Sequence, residues 1–487
     1  MTRPADDHAA SEDRPGTETV GGSRPESGDR SAGSAGAVDV VPFAAALRAW
    51  FAISLQTFGG PAGQIAVMQR ALVDERRWIG QRRFLHALNY CMLLPGPEAH
   101  QLAIYVGWLL NGLRGGLAAG VLFVLPGMVA LLALSAVYVG FGDTTAVAAL
   151  FTGLGAAVIA VVVQAVLRVG RRALTHPVLV VLAVAAFVAL AAFAVPFPVV
   201  VAAAAGLGRL AARRVPGLAR ADGHTAPADD GPAPLVPDDH LHTERPSPAR
   251  TLRILVVGAV LWSAPVLLVA LVTGVGSVFT TQGVFFGGTA LVTFGGAYAV
   301  LAFVAQQAVA TYGWLTAGDM VRGLALAEST PGPLIMVVQF VAFLGAHADP
   351  GPFDPWVAAV LASLLVTWVT FVPSFLFIFL GAPYIEALRS NRALAAALTG
   401  ITAAVVGVIA HLAVFFAVGT LFSSTRTLAA GPLVVAAPVL DTLRPVPLGI
   451  AVVAAVLVFA ARWPVLRVLG VCAALGLAAG LVGLPVT

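Results

Sequence analysis

Long apolar runs separated by short polar stretches fill the chain from residue 43 to its end. A membrane-crossing helix needs roughly 20 apolar residues. Runs over 117–140, 146–167, 173–191, 193–209, 254–273, 356–380, 393–421, 446–461 and 466–485 come close to or exceed that length and predict spanning helices. Four further segments, 43–69, 84–112, 283–310 and 322–345, are long enough but interrupted. Gly-Gly breaks the first and third, and Pro-Gly-Pro breaks the second and fourth. Each is expected to be a broken hairpin of two short helices, entering and leaving on one side. Residues 1–40 lack this pattern. They are polar, carry 8 of the 24 acids and predict a disordered tail. Residues 213–250, rich in Pro and Asp, predict a flexible linker.

The linker separates two related halves, 41–212 and 251–487. Thr57-Phe58-Gly59-Gly60 recurs as Thr293-Phe294-Gly295-Gly296, Trp78 as Trp314, and Pro95-Gly96-Pro97 as Pro331-Gly332-Pro333, all at an offset of 236. Pro126 matches Pro373 and Thr152-Gly153 matches Thr399-Gly400 at an offset of 247. A single insertion of 11 residues near Gly345–Pro355 reconciles the two offsets.

Composition narrows the class. Hydrophobic residues make up 59% of the 487 positions and charged residues 11%, too few charges to cover a soluble domain of this size. The net charge of +4 is not gathered into an aromatic-rich basic patch, which argues against nucleic-acid binding. The two cysteines, Cys91 and Cys472, lie inside apolar runs and predict no disulfide framework. Common nucleophile, metal and nucleotide strings are missing, so neither an enzyme nor a cofactor is expected.

Arginine placement sets the threading, because cytoplasmic loops collect positive charge. The stretch QRALVDERRWIGQRR carries five Arg, whereas its counterpart AQQAVATYGWLTAGDMVR carries only Arg322, with Asp319 nearby. Equivalent loops of opposite bias predict an inverted repeat with broken helices, an all-α polytopic architecture that many secondary transporters share. The tail and linker fall on the cytoplasmic side in this threading.

Candidate chemistry gathers at the breaks. A Pro-Gly-Pro turn removes backbone donors and frees carbonyls. Such irregular backbone is tolerated at membrane depth only where it lines a cavity or is buried in protein. Half-helices starting after Pro97 and Pro333 point N–H groups and a positive dipole end inward, as anion sites do. Gly59, Gly60, Gly295 and Gly296 allow similarly close backbone approach. Gln64, Asn89, Gln101, Thr330 and Gln339 are candidate donors, with Asn89, Gln101 and Gln339 the leading ones. With Pro95, Gly96, Pro97, Pro331, Gly332 and Pro333, these residues define the expected substrate site. Glu98 and Glu328 are the acids placed at membrane depth and are candidates for coupling or gating. Glu328-Ser329-Thr330 resembles a helix N-terminal signal, which makes Glu98 the stronger coupling candidate. Arg76, Arg77, Arg82 and Arg83 form an expected basic mouth, while His86 and His411 read as structural.

The runs TFGGPAGQIAVMQ, DERRWI and RRFLHALNYCMLLPGPEAHQLAIYVGW resemble the first-half signature of the chromate ion transporter family. FGGAYAVLAFV and GLALAESTPGPLIMVVQFVAFLGA resemble its second-half signature. The resemblance implies the long, two-domain form of that family, spanning about 43–485. Position 100 is His where the family is expected to carry Gln. The resemblance further implies export of chromate across the inner membrane, conferring chromate resistance, with sulfate as the structural analogue and the lipid bilayer as surroundings. Membrane potential, proton coupling or both are the implied driving forces. The alternative is a transporter of sulfate or another anion.

Overall fold

A computed structural model of the chain describes residues 40–58, 60–142, 144–215, 234–236, 247–294, 297–381, 391–431 and 433–485. The expected tail and most of the expected linker lie outside the described residues. Helices dominate: α1 (Phe43–Ser54), α2 (Gly60–Gln69), α3 (Gln81–Cys91), α4 (Glu98–Phe141), α5 (Thr145–Ala173), α6 (Pro177–Phe193), α7 (Phe197–Arg214) and α8 (Pro248–Thr273) come first. Then follow α9 (Val278–Leu291), α10 (Ala297–Gln306), α11 (Ala317–Ser329), α12 (Val337–Ala348), α13 (Pro355–Gly381), α14 (Arg392–Leu421), α15 (Pro445–Ala455) and α16 (Val465–Leu481). One exposed hairpin, β1 (Thr425–Ala430) and β2 (Leu433–Pro438), joins α14 to α15. The protein is an all-α polytopic membrane protein. Among the described residues, five helices are long and apolar enough to cross a membrane: Glu98–Phe141, Thr145–Ala173, Pro248–Thr273, Pro355–Gly381 and Ala393–Leu421.

The outside of the bundle is apolar, as a lipid solvent requires. Leu271 of α8 is 85% exposed, and Val181, Val184, Leu267 and Leu268 are also exposed. The inside holds the polar residues, including Thr57, Gln64, Gln101, Glu328 and Gln339, all buried. Helix α8 buries no residue. It is fastened to α13 by two indole bonds, Trp262 Nε1 to Val369 O at 2.9 Å and Trp368 Nε1 to Leu261 O at 2.8 Å.

All four interrupted segments break where their sequences predict. At both Pro-Gly-Pro turns the chain doubles back. The Tyr90 and Tyr105 rings on either side of the first turn lie 5.6 Å apart. Across the second, Gly323 sits directly against the Phe340 ring. At the second Gly-Gly break, Phe285 and Phe303 rings meet at 5.5 Å. Helix α4 folds a second time at Asn111 and Gly112, where Gly112 adopts φ 61° and ψ −153°, a region closed to side-chain-bearing residues. Its first arm then packs back along its second, with His100 facing Phe123. The second half makes the corresponding bend in a loop, 349–354, between α12 and α13. That loop falls within the stretch Gly345–Pro355 where the offset changes.

The halves interlock rather than sit side by side. Helices α15 and α16 of the second half pack on α5 of the first, and α6 and α7 of the first pack on α14 of the second. Both crossings are glycine contacts. A Cβ on Gly153 of α5 would fall 2.0 Å from Cys472 O, and one on Gly400 of α14 would fall 2.3 Å from Ala204 O. Gly153 and Gly400 are the pair matched at an offset of 247, so equivalent positions make equivalent contacts in opposite directions.

One piece of the linker is anchored. Leu235 N–H donates to Arg77 O at 3.1 Å and Val236 N–H to Trp78 O at 3.0 Å. The Val236 side chain is buried beside Ile79. The linker therefore touches the arginine-rich loop directly, which its polar composition does not predict.

Candidate functional site

The four breaks converge on one buried centre, and they do so reciprocally. Gly96 of the first Pro-Gly-Pro donates its N–H to Thr293 O of the second half at 2.8 Å. Gly332 of the second Pro-Gly-Pro donates its N–H to Thr57 O of the first half at 2.9 Å. Both glycines have positive φ, 126° and 111°. The residues that follow the matched prolines of α4 and α13 complete the exchange. Ser374 Oγ lies 3.1 Å from the point a Gly96 Cβ would occupy, and Gly127 Cα lies 3.3 Å from the corresponding point at Gly332.

Around this frame the polar groups differ between halves. Gln64 Nε2 donates to Gly332 O at 2.5 Å. Gln101 Nε2 donates to Pro95 O at 2.7 Å, which stiffens the first turn. Glu328 is 2% exposed and accepts a hydrogen bond from Tyr298 OH. Gly60 closes on the same phenol, at 3.9 Å from its would-be Cβ. Among the described residues, the oxygens Gln101 Oε1, Ser374 Oγ and Glu328 Oε2 are buried without a partner. Buried polar atoms are almost always paired, which makes these three candidates for contact with a bound group. Helix α4 starts at Glu98 behind Pro97, with no side chain capping its first N–H groups. A free helix start of this kind favours negative charge.

Of the expected site residues, Gly60, Gln64, Pro95, Gly96, Pro97, Gln101, Glu328, Thr330, Pro331, Gly332 and Pro333 come together here. Gly59, Gly295 and Gly296 lie outside the described residues. Asn89 is exposed on α3. Gln339 is fully buried but braces α12: its Nε2 donates to Met128 O at 3.0 Å, and its Oε1 accepts from Thr367 at 3.4 Å. Glu98 is half-buried in the first turn of α4. Arg83, expected at the basic mouth, is 5% exposed and sits inside the first-half core.

The reading of Glu328-Ser329-Thr330 as a helix start is corrected. These residues end α11: Ser329 Oγ donates to Leu326 O at 2.9 Å and Thr330 Oγ1 to Ala327 O at 3.2 Å. Glu98 is instead the acid at a helix N-terminus. His100 packs edge-on to Phe371 and Phe375, with ring centroids 5.0 and 5.2 Å away.

Tyr298 and Ser374 belong to the centre and were not foreseen. Tyr298 is the second residue after Gly-Gly, and Ser374 follows the matched Pro373, so both carried a positional signal. Their hydroxyls are ordinary in membrane helices, and nothing in the sequence reveals which opposing turn they meet.

The fold and its centre are those of a polytopic helical membrane protein of the transporter class, with broken helices meeting at one buried centre. The chain belongs to the chromate transporter family, whose profile matches residues 44–209 and 280–477. It is similar to the chromate transport protein of Pseudomonas aeruginosa, with 35% identity over 362 residues, covering 73% of this chain and 76% of the relative. It is also similar to the chromate transport protein of Cupriavidus metallidurans, with 29% identity over 352 residues, covering 72% and 77%. A probable chromate transport protein of Synechococcus elongatus is 26% identical over 353 residues, covering 72% and 79%. No solved structure matches the chain.

Proposed function

We propose that the protein is an inner-membrane secondary transporter that exports chromate through the centre where the two Pro-Gly-Pro turns cross. The reciprocal Gly96–Thr293 and Gly332–Thr57 bonds carry this reading. They hold one turn from each half against the other half, so a rocking motion between the halves must act on both turns at once. Chromate is a tetrahedral dianion with four acceptor oxygens. Donors suited to it are the uncapped start of α4, the Ser374 hydroxyl and the amides of Gln64 and Gln101 after they exchange their present carbonyl partners. The names of the relatives support chromate as the substrate. Outward movement of a dianion is favoured by an inside-negative potential, at about 2.3 kcal/mol per charge per 100 mV.

Radiolabelled chromate uptake into everted vesicles tests this directly. Uptake is expected to saturate and to be accelerated by an imposed potential, positive inside the everted vesicle. Chromate uptake equal to that of empty vesicles overturns the reading, and sulfate uptake at the higher specificity makes sulfate the substrate.

The proposed threading puts the arginine-rich loop and the linker in the cytoplasm. The bonds of Leu235 and Val236 to Arg77 and Trp78 support a common side for both. The proposed inversion puts the equivalent loop of the second half outside. Glu75 and Thr311 are both exposed, and the native Cys91 and Cys472 are buried. A membrane-impermeant thiol reagent added to intact cells is expected to label a Thr311→Cys variant and to spare Glu75→Cys. Equal labelling of both removes the inverted repeat.

A further inference from the structure

A second polar depression lies apart from the crossed turns, where the end of α14 and the start of α15 meet α5 and the start of α11. It is lined among others by Thr152, Gly155, Arg322, Thr420 and Arg444. Two guanidinium groups thus share one small pocket. Arg322 is accounted for: its Nη1 donates to Tyr138 OH at 2.8 Å and lies 3.5 Å from Asp319 Oδ1. Tyr138 OH in turn donates to Asp319, and Asp319 also caps α11 through Thr316. Arg444, itself half-buried, has no such carboxylate among the described residues. Its backbone N–H donates to Leu421 O at 2.8 Å, which pins it beside the end of α14. Its Nε is buried and without a partner among the described residues. Thr420 is 9% exposed, and its Oγ1 is likewise buried and unpartnered. Asp441, three residues before Arg444, is exposed.

A buried charge is normally paired, and a buried hydroxyl normally bonded. Here Arg444 and Thr420, each with one buried unpartnered atom among the described residues, line the same space as the carboxylate-paired Arg322. The arrangement of donors without acceptors matches a small oxyanion: a guanidinium N–H, a hydroxyl and a second cation within reach. Gly155, Gly318 and Gly419 are among the lining residues. We propose that Arg444 and Thr420, with Arg322 beside them, form a second binding site for a tetrahedral oxyanion, separate from the central one. Burial and the neighbouring Arg322 also push the Arg444 guanidinium below its ordinary range, the signature of a cation short of negative charge. In the threading proposed above, the pocket opens on the outer face. An anion there occupies the far end of the export route, where it can load the carrier from outside or slow release. Existence of the site does not depend on that threading or on the central site.

Equilibrium binding of radiolabelled sulfate to the purified full-length protein tests the assignment. The variants are Arg444→Gln, Arg444→Lys and Thr420→Val, each in the parental chain and with Gly332→Val, which disables the central turn. In the Gly332→Val background, one saturable component is expected to remain. Arg444→Gln is expected to weaken that component by at least about tenfold, as loss of a charge-assisted bond does. Arg444→Lys keeps the charge and is expected to stay within roughly threefold of the parent at a point-charge contact. Thr420→Val is expected to fall between the two. Sulfate binding that Arg444→Gln leaves unchanged, or that Gly332→Val abolishes completely, overturns the second site. Failure of the central site instead shows as binding untouched by Gly332→Val but still reduced by Arg444→Gln.

Discussion

Valine at Gly96 or at Gly332 is expected to abolish chromate transport while the protein still reaches the membrane. Both glycines sit at φ values, 126° and 111°, that a β-branched residue scarcely adopts. Forcing a side chain into such backbone costs on the order of 1–3 kcal/mol. Crowding adds to strain at Gly96, where a Cβ would lie 2.7 Å from Gln101 Nε2 and 3.1 Å from Ser374 Oγ. At Gly332 the neighbour is backbone, Gly127 Cα at 3.3 Å, which cannot swing away. Displacement of either turn also breaks its bond to the opposite half, so one substitution disturbs both sides of the centre. Gly274→Val is the matched control: Gly274 has φ 90° but no atom within 4 Å of its would-be Cβ. It carries the backbone strain without the crowding and is expected to retain most of the transport. Chromate uptake in vesicles, normalised to the amount of folded protein, should fall by more than about tenfold for the two turn variants, a loss of at least about 1.4 kcal/mol. Parental rates in both would make the turns packing devices and remove the site.

The origin of these turns shows how far the sequence could be read. The breaks at Gly-Gly and Pro-Gly-Pro are legible because Gly and Pro act on their own backbone, whatever surrounds them. Apolar run length likewise places the spans: the run 117–140 lies within the second arm of α4, and 356–380 within α13. The common offset identifies which residues are equivalent, such as Gly153 and Gly400, but equivalence is not contact. Only the folded chain shows that each packs against the other half, Gly153 on Cys472 and Gly400 on Ala204. The same limit applies at the centre. Gln101 was legible as a polar residue beside a break, whereas Ser374 becomes significant only because α13 brings it to Gly96 from far along the chain. Gln339 shows the converse. Its polarity and position match a ligand, but its amide is committed to Met128 and Thr367, bonds that no local pattern specifies. Arg83 is similar, since an arginine in a basic loop gives no sign that it turns inward.

Glutamine at Glu328 is expected to keep chromate exchange while removing the response to a pH gradient. Glu328 ends α11 rather than starting a helix, so the capping role that its sequence suggests is absent. Its Oε1 is held by Tyr298 OH, and its Oε2 is buried without a partner among the described residues. A protonated carboxyl can donate from Oε2 to an anion oxygen, whereas an ionised one repels a dianion. On the proposed reading, an anion bound beside Oε2 links proton and anion occupancy at this side chain, and such a linkage is reciprocal. Glutamine keeps the shape and supplies an amide donor but cannot titrate. Counterflow exchange of labelled chromate should stay within roughly threefold of the parent, because one neutral hydrogen bond is worth about 0.5–1.5 kcal/mol. Stimulation of net uptake by an imposed pH gradient should disappear. Alanine removes the donor and orphans the Tyr298 hydroxyl, so exchange itself should fall. Glu98 is the internal comparison: it lies in the first turn of α4 and is half-buried, whereas Glu328 is 2% exposed. Glu98→Gln is accordingly expected to retain the pH response. Loss of that response in Glu98→Gln but not in Glu328→Gln would move coupling to the helix start, and its survival in both would leave membrane potential as the driving force.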